Sequence, residues 1–136
     1  MIKFNFLALS LILVTFFNVG CTQEDDDEDK GIYGTWHLSN VSGGLAGINL
    51  DYERGEVTWE FKVGDKLEVE NNILTDGPKS IFAGLETGVY SFSVTEYGGD
   101  QTLNIDGQYS GSVEIGTTLR LDEGVDADGF LKSFVR

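Results

Sequence analysis

The stretch Gly55–Val63 reads GEVTWEFKV and alternates apolar with polar side chains along its length. Its apolar positions are Val57, Trp59, Phe61 and Val63. Successive side chains of a β-strand point to opposite faces of a sheet, so the stretch predicts a strand with one buried and one solvated face. The turn residues Gly64–Lys66 follow, and the segment Leu67–Ile73 resumes the alternation. The two segments together predict a β-hairpin.

Short alternating segments of this kind recur through the chain after Lys30, and turn residues separate them. They are Gly34–Val41, Gly47–Leu50, Tyr90–Thr95, Leu103–Ile105, Tyr109–Ile115, Leu119–Leu121 and Phe130–Arg136. No long window shows a helical repeat of apolar residues. About eight or nine sequential hairpin strands predict an all-β fold, a small up-and-down antiparallel β-barrel, because closure removes exposed sheet edges. A β-sandwich is the alternative.

Aromatic residues are concentrated on the predicted inner face of the barrel. We expect five of them to face inward: Trp59, Phe61, Tyr90, Phe92 and Tyr109. An eight-stranded barrel is just wide enough to be filled by side chains or to enclose one small molecule. These aromatic residues therefore either line a ligand pocket or fill the interior.

Residues 1–20 have the composition of an export signal. The single basic residue Lys3 precedes an apolar run from Phe4 to Phe17, and the small residue Gly20 stands just before Cys21. This order predicts a secretory signal peptide. The run of about 14 residues contains polar side chains and is too short for a permanent transmembrane helix.

The segment NVGC, Asn18–Cys21, resembles a bacterial lipobox, although Asn18 stands where that motif has an aliphatic residue. The resemblance implies that Cys21 is diacylated and becomes the new N-terminus, so the membrane is an expected partner. Cys21 is the only cysteine of the chain and has no second thiol to pair with. Two acyl chains suffice for stable anchoring. The alternative is a general secretory signal with an incidental cysteine.

Glu24–Asp29 is a run of six acidic residues. Like charges repel and gain too little apolar burial to fold, so residues 21–30 are predicted to be a solvated tether behind the lipidated cysteine. An acidic run at this place resembles the surface-export signal of Bacteroidota-type lipoproteins. That resemblance implies an outer-membrane protein facing the cell surface, with a periplasm-facing lipoprotein as the alternative.

Residues 31–136 have the length of one domain, for which we expect a monomer. From Lys30 onward, eight basic residues stand against seventeen acidic ones, a net charge of −9. Nucleic-acid binding needs clustered Lys and Arg side chains. The charge therefore argues against a nucleic-acid partner.

The start of the domain reads GIYGTWHLSNVSGG from Gly31 and resembles the Gly-x-Trp opening of lipocalins and the wider calycin group, with Gly34 and Trp36 at the motif positions. The resemblance implies that Trp36 closes one end of a barrel and that an arginine from the last strand, here Arg136, packs across it. A guanidinium over an indole contributes about 0.5 to 2 kcal/mol. These residues are expected to close the barrel.

Candidate residues for catalysis or metal binding are few. His37, the only histidine, follows Trp36 and is expected to face outward. The loop Asp122–Gly129 holds four carboxylates but departs from the EF-hand pattern, since Phe130 stands at a ligand position. We therefore expect a solvated turn, no metal, no cofactor and no enzymatic activity.

Two functions follow from these patterns. The first is a barrel, anchored at the cell surface, that binds a small apolar or amphipathic ligand. The second is a protein-interaction or inhibitor domain acting on a basic extracytoplasmic enzyme, which the acidic charge would attract. The two differ in whether the barrel interior is hollow or filled.

Overall fold

The computed structural model describes residues 30–136. The predicted signal peptide, Cys21 with its lipobox and the acidic run Glu24–Asp29 lie outside the described residues. The described residues form nine strands and one short α-helix, followed here in chain order. They are β1 Gly34–Gly43, β2 Ile48–Asp51, β3 Val57–Lys62, β4 Lys66–Asn71, α1 Pro78–Phe82, β5 Gly88–Tyr97, β6 Asp100–Ile105, β7 Gln108–Ile115, β8 Thr118–Asp122 and β9 Phe130–Val135.

The strands form a closed antiparallel barrel, as the alternating segments predicted. Each strand from β3 to β9 pairs with the next, and β9 pairs back with β1 from His37 to Gly43. β9 lies along one edge of β1 and pairs with His37 and Asn40. Along the other edge, His37 pairs with β3 and Asn40 pairs with β2. β2 and β3 thus share one position, and the barrel has eight.

Alternation places one face of each strand in the core. In β3, Val57, Trp59 and Phe61 are buried, as expected. Val63, the fourth apolar residue of that pattern, is instead 90% exposed. The strand ends at Lys62, which pairs with Lys66, so Val63 is the first residue of a three-residue turn.

The connections alternate between the two ends of the barrel. The N-terminal end carries residues 30–33, the β3–β4, β5–β6 and β7–β8 turns, and Arg136. The opposite end, called here the α1 end, carries the β1–β2, β4–β5, β6–β7 and β8–β9 connections. Among residues 30–136, no helix has the length and apolarity needed to span a bilayer.

The β4–β5 connection contains α1, in a segment for which no helix was expected. Proline at the first helical position suits a helix start, because its missing N–H has no intrahelical partner there. The helix is only five residues long, which is too short for an apolar repeat to reveal it. Ala83, just after it, is fully buried and attaches the connection to the core.

Candidate functional site

The N-terminal end is closed by the first and last residues of the domain. The guanidinium carbon of Arg136 lies 4.0 Å from the centroid of the Trp36 ring. Trp36 is fully buried, and its Nε1 donates a hydrogen bond of 2.7 Å to the carbonyl of Ile32. The arrangement has the geometry that the calycin resemblance implied for Trp36 and Arg136.

Arg136 also fixes the segment that leads into β1. Its Nη1 donates to the carbonyl of Tyr33 at 3.0 Å and its Nη2 to the carbonyl of Gly31 at 2.6 Å. A Cβ at Gly34 would lie 2.9 Å from Nη1, and Gly34 has a φ of +113°. Glycine suits position 34, because it adopts this backbone conformation without the strain that a side chain would bring.

The interior of the barrel is packed with aromatic rings. Trp59 and Phe61 are each 2% exposed, and Phe92 is also buried. Ring centroids are 4.8 Å apart for Trp59 and Phe134 and 4.9 Å apart for Phe61 and Phe92. Three of the five predicted lining residues therefore contact other core side chains directly, at the distances of stable aromatic pairs.

One polar atom in this interior lacks a partner. Nε1 of Trp59 is buried and donates no hydrogen bond to any atom of residues 30–136. A buried donor without an acceptor costs about 1 to 3 kcal/mol.

The other two predicted lining residues lie elsewhere. Tyr90 is partly buried against the core, and its hydroxyl donates to the carbonyl of Glu86 at 2.8 Å. Tyr109 is 66% exposed, so the expectation that it faces inward is wrong. Asn104 pairs with Tyr109, but its neighbour Leu103 pairs with Gly111, so β7 has an extra residue, Ser110. This bulge reverses the alternation and turns Tyr109 outward.

At the α1 end, several polar contacts hold the β4–β5 connection in place. The hydroxyl of Tyr52 donates to the carbonyl of Lys79 at 2.9 Å, and Lys79 Nζ lies 2.9 Å from Glu56 Oε2. This ion pair is the largest influence on Glu56 and lowers the pKa of its carboxyl. Phe82 packs on Phe130 with their ring centroids 5.2 Å apart.

Beneath this connection lies a buried lysine that the sequence analysis did not single out. Lys132 is 7% exposed and lies on the same face of β9 as the buried Phe134. Its Nζ forms an ion pair with Glu123 of the β8–β9 connection. The alternation of Phe130, Lys132 and Phe134 was the available signal, because it places Lys132 on the apolar face.

Asp122 organises the β8–β9 connection. Its Oδ1 accepts hydrogen bonds of 2.8 Å from the backbone N–H groups of Gly124 and Val125. Since Glu123 pairs with Lys132, two of the four carboxylates have structural partners. Within residues 30–136, no group of three or more His, Cys, Asp and Glu side chains could hold a metal ion.

His37 lies on the outer face of β1. Its Nδ1 is 3.2 Å from the hydroxyl of Thr58 on β3. Burial lowers the pKa of His37, and the positive charge of Arg54 lowers it further. Both influences favour the neutral imidazole, which contacts a neighbouring strand.

Two depressions on the outside of the barrel meet at Thr87. One, of about 440 Å³, lies over β3, β4 and the start of β5 and is lined by Glu60, Glu68, Glu70 and Val89 among others. The other, of about 570 Å³, lies under α1 and is lined by Ile73, Ile81 and Glu86 among others. Thr87 lines both depressions, and we call the two together the trough.

A separate depression of about 400 Å³ opens at the N-terminal end. It is lined by Ile32, Phe92, Val94 and Ile115 among others. Phe92 is the only one of the five predicted lining residues at its wall, and none of the five lines the trough. None of the depressions described for residues 30–136 is therefore lined by the five predicted residues together.

Comparisons with protein-family models, with curated proteins and with solved structures give no match for this chain.

Proposed function

We propose that this chain is a membrane-anchored protein-interaction domain that binds a basic extracytoplasmic protein through the outside of its barrel. The observation that carries the proposal is the packing of Trp59, Phe61, Phe92 and Phe134 against one another in the interior. A ligand in that place would have to displace close aromatic contacts. The outer surface has no such cost, because its depressions are already open to solvent.

The charge of the domain supports a basic partner. From Lys30 onward the net charge is −9, and the carboxylates Glu60, Glu68, Glu70 and Glu86 line the trough. An acidic surface accelerates the encounter with a basic protein and disfavours acidic ones. The negative charge of this surface suits a basic extracytoplasmic enzyme, which the domain would inhibit or recruit.

Anchoring is proposed to occur through acylated Cys21, at the outer membrane and facing the cell surface. The support is the lipobox-like Asn18–Cys21 and the acidic run Glu24–Asp29. Residues 30–33 enter the barrel at the N-terminal end, so a tether from Cys21 would place this end towards the membrane. The α1 end and the trough would then be open to partners.

Site-specific photo-crosslinking in intact cells tests the proposal. A photoreactive amino acid is placed in the full-length protein at Ile81 beside the trough, and in a control at Tyr97, which is 92% exposed at the N-terminal end. We expect Ile81 to capture a basic protein, with a yield that falls as salt rises. If no exposed position of the α1 end yields a basic protein, the proposal is wrong.

A second candidate function is favoured by the depression at the N-terminal end. Its volume of about 400 Å³ and its apolar side chains Ile32, Val94 and Ile115 would suit a small apolar ligand. The test is native mass spectrometry of the protein purified from its own host. A bound small molecule at about one equivalent supports this candidate, and a protein recovered without one argues against it.

A further inference from the structure

The trough exists because β4 and β5 separate towards the α1 end. Their backbones pair only from Lys66 to Val69 on β4. Beyond that point the Thr87 side chain takes the place of backbone pairing. The Asn71 N–H donates to Thr87 Oγ1 at 2.9 Å, and the Thr87 hydroxyl donates to the Asn71 carbonyl at 3.3 Å. These bonds fix the separation, so the trough is a built part of the fold.

The trough carries a surplus of negative charge. Its carboxylates are Glu60, Glu68, Glu70 and Glu86. Lys62 Nζ lies 2.7 Å from Glu68 and 3.7 Å from Glu60 and offsets one of these charges, which leaves a net charge of −3. Glu70 accepts a hydrogen bond of 3.2 Å from the neutral amide of Asn72. Among residues 30–136, Glu70 therefore has no ion pair, whereas an incoming cation would share Glu68 with Lys62.

Apolar side chains are exposed along the same trough. Val89 is 65% exposed in the part over β4 and β5, and Ile81 is 72% exposed in the part under α1. Arginine and lysine side chains pair a charged head with an aliphatic stem that covers apolar surface. A basic chain that also carries apolar residues would satisfy both features at once.

We propose that the trough binds an extended segment of the protein partner in which basic and apolar residues alternate. A basic side chain lies over Val89 with its head at Glu68 and Glu70, and an apolar side chain lies against Ile81. This inference rests on the proposed function, and it names the surface and the segment chemistry that the proposed function leaves open. Arginine suits the first position best, because its guanidinium donates two bonds to carboxylates.

The test uses a fluorescent heptapeptide of alternating arginine and leucine, titrated into the full-length protein by anisotropy. Glu68→Gln with Glu70→Gln removes two charges in the trough. Glu96→Gln with Glu114→Gln removes two exposed charges on β5 and β7 and keeps the net charge matched. Because the trough variant loses two charge-assisted contacts, its affinity for the peptide should fall about tenfold or more. The matched control should change binding less than about twofold, as expected for screened surface charges.

Ile81→Ser probes the apolar contact, with Leu45→Ser, 88% exposed in the β1–β2 turn, as its control. We expect weaker binding for Ile81→Ser and unchanged binding for Leu45→Ser. Equal losses in the two charge variants would overturn the trough, because overall charge would then explain the affinity. No binding by the unmodified protein would also overturn it. The proposed function would survive either result if crosslinking still captured a basic protein at another exposed position, so the two failures are distinguishable.

Discussion

The two ends of the barrel are closed in different ways. The N-terminal end uses the buried ring of Trp36, which bonds the carbonyl of Ile32, and the half-buried Arg136, which lies over that ring and bonds two more backbone carbonyls. The α1 end uses a short helix that a partly exposed ion pair and one tyrosine hydroxyl hold in place beside the buried Ala83 and Lys132. Buried contacts stabilise a fold far more than exposed ion pairs do. The buried Trp36 is therefore expected to contribute more to stability than the partly exposed Glu56–Lys79 pair.

Charge divides between the ends in the same way. In the connections of the N-terminal end, Asp65 stands against Lys30 and Arg136, a net charge of +1. In those of the α1 end, six acidic residues stand against Lys79, a net charge of −5, and the β2–β3 connection with Glu53, Arg54 and Glu56 brings it to −6. The six are Asp76, Glu86, Asp106, Glu123, Asp126 and Asp128. The α1 end is thus the end whose negative charge suits a basic partner.

The largest effect is expected from Trp36→Ala, which would open the N-terminal end. Trp36 is fully buried, and its truncation leaves a cavity and an unpaired carbonyl at Ile32. The free energy of unfolding should fall by about 3 to 5 kcal/mol, measured by urea denaturation of the full-length protein. Tyr97→Ala at the same end, an exposed position, should change it by less than about 0.5 kcal/mol. Comparable losses of stability in the two variants would show that the buried Trp36 contributes no more than the exposed Tyr97.

A smaller loss is expected from Arg136→Ala. This change removes the cation–π contact and the hydrogen bonds to Gly31 and Tyr33, and should lower the free energy of unfolding by about 1 to 3 kcal/mol. Arg120→Ala, which loses an exposed ion pair with Glu114 at 3.4 Å, should cost less than about 1 kcal/mol. An equal cost in the two variants would show that Arg136 does not close the barrel.

The smallest effect is expected at the α1 end, from Glu56→Gln. The hydrogen bond from Lys79 lowers the pKa of Glu56 below its ordinary 4.5. The stability that this ion pair contributes is therefore present above pH 4.5 and is lost as the pH falls through the lower pKa that Glu56 has in the folded protein. The pair is partly exposed, so less than about 1 kcal/mol is at stake.

Urea denaturation of the Glu56→Gln protein across this pH range should show a shallower loss of stability on acidification than the unmodified protein. Lys79→Met should flatten the same part of the profile, because it removes the other partner. A profile unchanged in both variants would mean that this ion pair does not hold the α1 end.

Alternation along the chain was sufficient to predict the barrel, because residues such as Val57, Trp59 and Phe61 report their face through their own spacing. It failed at Tyr109, since the bulge at Ser110 depends on pairing with β6 and has no local pattern. Alternation with Phe130 and Phe134 did place Lys132 on the apolar face, but its partner Glu123, from a loop nine residues earlier in the chain, has no local pattern.

The trough was beyond prediction for a related reason. It depends on where β4 and β5 cease to pair, and that is set by Thr87 bonding to Asn71 across a connection of sixteen residues. Glu68 and Glu70 in the sequence indicate only a solvated strand face. That they line a concave surface depends on how the strands are arranged in the barrel.

The central claim, that the interior is filled and the protein binds through its outside, is tested most directly by fluorine NMR. The two tryptophans, Trp36 and Trp59, report separate places when the full-length protein is labelled with 5-fluorotryptophan. Trp59 lies among the interior rings, and Trp36 bonds Ile32 beside the depression at the N-terminal end. Titration with palmitate should leave both resonances unmoved. A saturable shift of the Trp59 resonance would contradict the account, because an apolar ligand would then have entered the barrel.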